Sequence, residues 1–512
     1  MKVFLAYCDR DLDLAAQLPA NAETLTQDLG LDILFGAMAA GDRFLPTVAK
    51  STVLASLTDV DAIRYRQAVL ADCLAQPAVV RELYALAVEA IEREHRLWWH
   101  TARSPDSLLS GSVDRMKLFV ELLRRLRVVA EGHASAFHSE GFTRLFGEIA
   151  RELDDRYLSS VDQHLLRLQF RDGVRVSAEL GPANLGINYV LRRRVRRPSL
   201  RERIGLAEPE SYVWQLPERD DAGAQALGEM RSRGIALAAN ALGQSTDHIL
   251  SYFAQLRSEL GFYVGCLNLH DALDRMGAPT CLPEPGSVGE PTLRAGGLYD
   301  AGLRLSMTGP VVGSDVDADG KVLLVITGAN RGGKSTFLRA LGLAQLMMQC
   351  GMFVPAESFQ ADVRGGLFTH FKREEDATLR SGKLDEELSR MSLIVDQVRP
   401  DSLVLLNESF ASTNEREGSE IGRQIVGALL EAGIKVGYVT HMFDLASGFH
   451  AVRSNDAVFL RAERLPDGRR TFRLIEGEPL PSSHGQDIYH AIFGDEPADP
   501  RSVEGEVAAG GP

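Results

Sequence analysis

Apolar residues recur at three- and four-residue spacing from about residue 20 to 165, as in RELYALAVEAIEREHRLWW and SVDRMKLFVELLRRLRVVAEG. That spacing gathers leucine, alanine and valine on one stripe of a helix and leaves the charges on the other, so a long helical region is predicted. Acidic residues often precede arginines by three or four positions, which supports exposed helix faces. Between 164 and 192 the period shortens toward alternation in HLLRLQFRDGVRVSAELG and INYVLRR, with Asp172-Gly173 placed as a hairpin turn. A small β insertion is expected there. Helical spacing resumes in AGAQALGEMRSRGIALAANAL and STDHILSYFAQLRSELGFYVGCLNLHDALDRMG, the returning limb of a lever. The stretch 278–320, rich in Gly, Pro and Asp with few periodic apolar positions, reads as a boundary or an irregular lead-in strand. Apolar runs then predict buried strands, the first over Val322 to Thr327. The tail DEPADPRSVEGEVAAGGP offers no apolar face, so residues 495–512 are expected to be disordered.

At 512 residues and 56.0 kDa the chain exceeds one ordinary core, which makes the protein multidomain. The pattern divides it into a helical core and lever over 1–285, with the β insertion at 164–192, followed by an α/β domain over 286–494. No apolar run reaches the roughly 18 to 20 residues needed to cross a bilayer, so no membrane association is expected. The opening MKVFLAYCDRDLDLAAQL lacks the pattern of a secretory signal, and a cytoplasmic location is the expectation. Cys8, Cys73, Cys266, Cys281 and Cys350 are scattered without a CxxC, so neither a zinc site nor a disulfide framework is indicated. A formal charge of −14 argues against a broadly basic surface, and any nucleic acid must be held locally. The most basic stretch is RRRVRRPSLRER at 192–203, interrupted by Pro198. It is either a solvated loop or a phosphate-contacting one, with Arg192, Arg193, Arg194, Arg196 and Arg197 as the candidate contacts.

The chemistry is concentrated in KVLLVITGANRGGKSTFLRALGLAQLMMQCG, where a buried strand is followed by G-x-x-x-x-G-K-S and then by helical spacing. Glycines let a backbone curl round phosphates so that successive N–H groups and the following helix N-terminus face the negative charge. The expected ligand is ATP, bound by Gly328, Ala329, Asn330, Arg331, Gly332, Gly333, Lys334, Ser335 and Thr336. Lys334 would reach the β and γ phosphates, and the Ser335 hydroxyl would ligate Mg²⁺. A second apolar strand, DSLVLLNESF, ends in Asn407 and Glu408. In P-loop ATPases this strand end carries an acidic residue beside the metal and then a glutamate that activates the attacking water. Glu408 fits the catalytic role. Asn407 could accept a hydrogen bond from metal-bound water but brings no negative charge, so hydrolysis is expected to be slow. A third strand, in IKVGYVTHMFDLA, ends at Thr440-His441, and a neutral His441 could donate a hydrogen bond to the γ phosphate or to attacking water.

These motifs together resemble the MutS family of DNA-repair ATPases, most strongly over about residues 320 to 450. TGANRGGKSTFLRALGLAQLMMQCGMFVPA looks like the family's P-loop and following helix, with Ala329 where proline is common; GGLFTHF resembles the next strand and THMFDLA the switch-histidine segment. SGKLDEELSRM sits where the family keeps a serine that contacts ATP bound by the opposite subunit, so the resemblance makes Ser381 that contact, in trans, and implies a homodimer with composite sites. SFASTNEREG keeps Thr413 and Gly418, and its Glu417-Gly418 is closer to the lineage linked to suppressing recombination. Upstream, LDILFGAMAAGDRFLPTVAKSTVLASLTDVDAIRYRQAVLADCL resembles the start of the family's helical core and lever.

The implied fold is therefore a helical core and lever with an ABC-type P-loop ATPase domain, lacking the N-terminal mismatch-recognition domain. Phe119-Val120-Glu121 and Phe146-Gly147-Glu148 match that domain's Phe-x-Glu wedge pattern but lie in helical stretches and read as chance. The tail also lacks the nuclease-like extension of the recombination-suppressing lineage. The implied function is a dimeric DNA clamp of repair or recombination control, moved by Mg²⁺-ATP, weakly selective for mismatches and open to other repair proteins as partners. The alternative is a nucleotide-dependent dimeric scaffold with slow hydrolysis and no direct DNA role, favoured by Asn407 and the charge of −14. A small-molecule kinase would need an acceptor pocket and lid, whereas more than half the chain reads as helix.

Overall fold

The computed structural model describes residues 1–97, 104–170, 173–192, 215–373, 382–465 and 469–481. The chain divides into two compact units, Met1–Asp13 with Ala71–Val264, and Leu14–Leu70 with Gly265–Pro512. The sequence pattern set one boundary near residue 285; the structure places residues 14–70 with the C-terminal part instead. Leu29, in helix Ala22–Leu29, packs so closely on Gly342 that an added Cβ would meet its Cδ2 at 2.8 Å. Asn21 Nδ2 donates to the Leu367 carbonyl at 2.7 Å, and the fully buried Arg66 donates Nη1 to the Cys350 carbonyl at 3.4 Å. Periodicity states which face a helix buries and not what buries it, so this assignment has no local signal.

The first unit is helical apart from one hairpin among the described residues. Helix Pro77–Leu97 buries Val80, Leu83, Ala87 and Ala90, and helix Pro105–His133 buries Phe119, Leu122 and Leu126, the stripes that the spacing predicts. Ser104 opens the second of these in a capping box with Ser107, and proline occupies its first position. Asp154 caps helix Asp155–Leu168 by accepting from Tyr157 N at 2.6 Å. Phe119 and Phe146 are both buried, as their helical setting predicts. The returning limb is one continuous helix, Asp221–Asp274. Its buried Glu259 carboxylate accepts N–H groups from Leu5, Ala6 and Leu12 at 2.5, 2.9 and 3.3 Å.

The insertion is an antiparallel pair, β1 (Val176–Leu180) and β2 (Gly186–Leu191). Its turn lies at Pro182–Asn184, with Ala183 and Asn184 at φ 57° and 61°; Asp172, of the turn expected at Asp172-Gly173, falls outside the described residues. Residues 164–168, read from sequence as the start of the insertion, finish helix Asp155–Leu168, because HLLRLQF satisfies both periods. Arg192 extends the hairpin, donating its N–H to Arg175 O at 2.8 Å and Nε to Ser177 Oγ at 2.8 Å. Arg193, Arg194, Arg196 and Arg197 lie outside the described residues, as does the tail 495–512.

In the second unit the segment read as an irregular lead-in contains β3 (Glu284–Gly286), β4 (Leu293–Leu298) and β5 (Ser314–Asp317), which join β7 (Ser358–Asp362) in the order β3-β7-β4-β5. The larger sheet contains β6 (Leu323–Thr327), β8 (Leu367–Phe371), β9 (Leu403–Asn407), β10 (Lys435–Val439), β11 (Ala457–Arg464) and β12 (Arg470–Glu476), in the order β12-β11-β6-β10-β9-β8. All neighbours in it are parallel except β11 and β12. β6, β8 and β10 are buried along their whole length, the mark of parallel strands covered on both faces. Leu323, Val325, Val404, Leu406, Val436 and Tyr438 form one core with Val426 and Phe449 from the covering helices. Register fixes the rim that matters: Val439 lies opposite Ile326 on one side and Asn407 on the other, so β6, β10 and β9 end together.

Candidate functional site

At that shared carboxyl-terminal rim the chain leaves β6 through Gly328, Arg331 and Gly333, with φ of 107°, 60° and 92°, and enters helix Lys334–Gln349. Glycine is required twice for space as well as for φ. A Cβ on Gly328 would lie 2.9 Å from Ala462 N, and one on Gly333 3.0 Å from the Phe472 carbonyl oxygen. β11 and β12 thus close one side of the loop. Ala329 is buried and Gly332 is pressed against it and Ala462, while Asn330 and Arg331 are exposed. Lys334 curls back across its own loop, Nζ donating to the Gly328 and Ala329 carbonyls at 2.9 and 3.0 Å. Burial pushes its pKa down, and the Glu408 carboxylate opposes that shift. Lys334 therefore sits at a helix N-terminus, short of solvation and beside outward-facing N–H groups, an arrangement that fits an anion.

Asn407, the last residue of β9, accepts at Oδ1 from the Ser335 hydroxyl at 2.9 Å, which ties the strand end to the first turn of the helix. Glu408 follows with φ 54°, unusual for a residue with a side chain; its N–H donates to Val439 O at 2.9 Å and its carboxylate lies 4.0 Å from Lys372 Nζ. Thr440 N donates to Ile326 O at 3.1 Å, and the exposed His441 follows it. The structure therefore gathers the loop, Ser335, Asn407, Glu408 and His441 at neighbouring strand ends. Ser381 lies outside the described residues.

A bound Mg²⁺ would meet hard, mostly neutral oxygens here. Ser335 Oγ and Asn407 Oδ1 are adjacent, Glu408 is the one carboxylate on the next residue, and no cluster of three or more His, Cys, Asp or Glu able to hold a metal occurs among the described residues. Such a set fits a cation that keeps several waters and shares its charge with a polyphosphate. One feature escaped sequence reasoning. A cavity of about 290 Å³ opens beside Arg331, Gly333 and Thr336 and is lined by Tyr299, Val311, Val312, Phe337 and Phe472. Its walls come from β12, from the phosphate loop with the first turns of helix Lys334–Gln349 and from residues 298–314, which no local pattern brings together.

The MutS2 N-terminal domain family matches residues 58–276, and the MutS domain V family matches residues 324–493. The chain is similar to the DNA mismatch repair protein MutS of Chloroflexus aurantiacus, 32% identical over 145 residues, covering 27% of this chain and 15% of that protein. It is also similar to endonuclease MutS2 of Lacticaseibacillus casei, 30% identical over 237 residues, with 44% of this chain and 30% of that protein covered. MutS protein homolog 4 of Mus musculus is 30% identical over 162 residues, 32% of this chain and 16% of that protein. The matched segments thus span under a third of each relative's length. The chain is thus similar to MutS-type proteins over two separate stretches, residues 58–276 and 324–493.

Proposed function

We propose, from the similarity to MutS-type proteins and the geometry of the site, that this chain is an ATPase of DNA repair or recombination control that works as a dimeric clamp, with ATP binding at the second unit driving movement of the helical lever. The observation that carries the reading is the meeting of Lys334, the Ser335–Asn407 pair and Glu408 at the rim shared by β6 and β9. The amides of Gly328 to Thr336 and Lys334 hold the phosphates, releasing the lysine from its own loop carbonyls. The adenine enters the apolar cavity beside Gly333, between Tyr299 and Phe472. Mg²⁺, when bound, supplies charge neutralisation at the phosphates, and Ser335 directly and Asn407 through water are the residues that hold it. Glu408 orients and deprotonates the attacking water, and His441 reads the γ phosphate by a hydrogen bond. Ser381 completes the partner's site. Arg192 and the arginines at 193, 194, 196 and 197 contact DNA phosphates.

The test is a binding panel of mismatched, branched and plain duplexes with and without ATP, repeated across salt concentration. A clamp loses affinity steeply as salt rises. The second reading, a nucleotide-dependent scaffold, is favoured by the neutral Asn407 and the charge of −14, and it predicts no DNA binding at low salt.

A further inference from the structure

Behind Glu408 lies a buried polar network that the nucleotide chemistry does not itself use. The residues on both sides of Ser409 have left-handed backbone, Glu408 at φ 54° and Phe410 at φ 63°. Two such residues in a row of three persist only where their surroundings over-determine them. Ser409, fully buried, is held three ways. Its hydroxyl lies 2.7 Å from His370 Nδ1 and 2.8 Å from the His370 carbonyl, and its own carbonyl accepts the Tyr438 hydroxyl at 2.7 Å. The His370 ring is itself fully buried, stacks on Phe410 with centroids 5.5 Å apart, and reaches the Glu387 carbonyl with Nε2 at 3.0 Å. The Glu387 carbonyl can only accept, so Nε2 carries the ring proton, and the one Ser409 hydroxyl proton is shared between the two acceptors facing it, the His370 carbonyl and Nδ1. Burial, reinforced by the Arg390 cation, lowers the histidine's pKa to about 4, which keeps it in this neutral form. Ser412 Oγ donates to Glu387 Oε1 at 2.8 Å, so helix Lys383–Val395 is tied to the same loop at a second point.

We infer that His370 is a positioning residue for Glu408: through Ser409 it locks the strand-end loop to helix Lys383–Val395 and holds the glutamate in its left-handed conformation at the rim of the phosphate loop. The inference rests on the reading of Glu408 as the water-activating group. Removal of the lock leaves the phosphate loop, Lys334 and Ser335 untouched, so it lowers turnover and spares nucleotide binding.

The experiment measures single-turnover ATP hydrolysis and equilibrium ATP affinity for wild type, His370→Gln, His370→Asn, Ser409→Ala and Glu408→Gln. Glutamine can reach the Glu387 carbonyl but removes the ring nitrogen that faces the Ser409 hydroxyl; asparagine places a polar atom near the Nδ1 position. Displacement of a catalytic group by about 1 Å costs on the order of a hundredfold in rate. The expected result is a loss of about ten- to a hundredfold in the hydrolysis rate for H370Q and S409A, unchanged ATP affinity, and partial rescue in H370N. Should H370Q fail to fold, S409A, which removes a single hydroxyl, reads the same rate. Wild-type turnover in H370Q or S409A overturns the inference, and so does a parallel loss of ATP affinity, which marks a general structural role. If E408Q itself hydrolyses ATP at the wild-type rate, the reading of Glu408 fails instead.

Discussion

The phosphate loop after β6 and the polar end of β9 face each other across one hydrogen bond, yet they are held in place by different means. The loop is shaped mainly by its own backbone, with Gly328, Arg331 and Gly333 at positive φ and Lys334 bonded to carbonyls five and six residues before it, while β11 and β12 close one side of it. The end of β9 is shaped by side chains from elsewhere: Ser335 on Asn407, and His370 and Tyr438 on Ser409. A locally determined site survives changes in its surroundings, whereas one held by distant groups can be retuned or switched by them. Binding and hydrolysis should therefore separate under mutation.

Glu408→Gln gives the widest separation. It removes the base and keeps size and backbone, so hydrolysis should fall about a hundred- to ten-thousandfold while ATP affinity stays within about twofold. Equal losses in both would mean that the two halves act as one.

Support of the β9 end from behind should be visible in stability. The folded-state pKa of His370 is about 4, below the ordinary 6.5. Between those values the unfolded chain takes up a proton that the folded chain refuses. Stability present above pH 6.5 is therefore lost as pH falls toward 4, by about 2 kcal/mol at pH 5 for this group. Denaturant unfolding of wild type and His370→Asn at pH 7 and pH 5 checks this: the gap between them should narrow at pH 5, and an unchanged gap would show that the histidine is not kept neutral.

The smallest effect concerns the metal. Asn407→Asp restores a negative oxygen next to Ser335, and the Mg²⁺ concentration needed for half-maximal hydrolysis should fall about tenfold. A titration that does not move would mean that Asn407 lies outside the cation's reach.

The same division explains what could be read from sequence. The loop was legible because glycine, lysine and serine spacing is local chemistry, and the buried strands were legible as unbroken apolar runs bounded by turns. The stripes of Pro77–Leu97 and Pro105–His133 were equally plain. What the sequence could not give was partnership. Residues 14–70 carry an ordinary helical period and do not say that they pack beside Gly342 and Leu367. β3 and β4 look irregular because their shared ladder partner β7 lies beyond the phosphate loop, and β5 pairs only with β4. His370 and Ser409 are ordinary polar residues in apolar stretches until the fold sets them 2.7 Å apart. The turn at Pro182–Asn184 carries no such signal as Asp-Gly, because it depends on two non-glycine residues at positive φ.

The central claim is that the loop from Gly328 to Ser335, with Lys334, holds the phosphates of ATP, and equilibrium titration of wild type and Lys334→Ala with ATP tests it most directly. Saturable binding by wild type is expected, with affinity lower by about a hundredfold in the variant, the order of magnitude of a lost charge-assisted contact to phosphate. Equal affinity in the two proteins, or no binding by wild type, would contradict it.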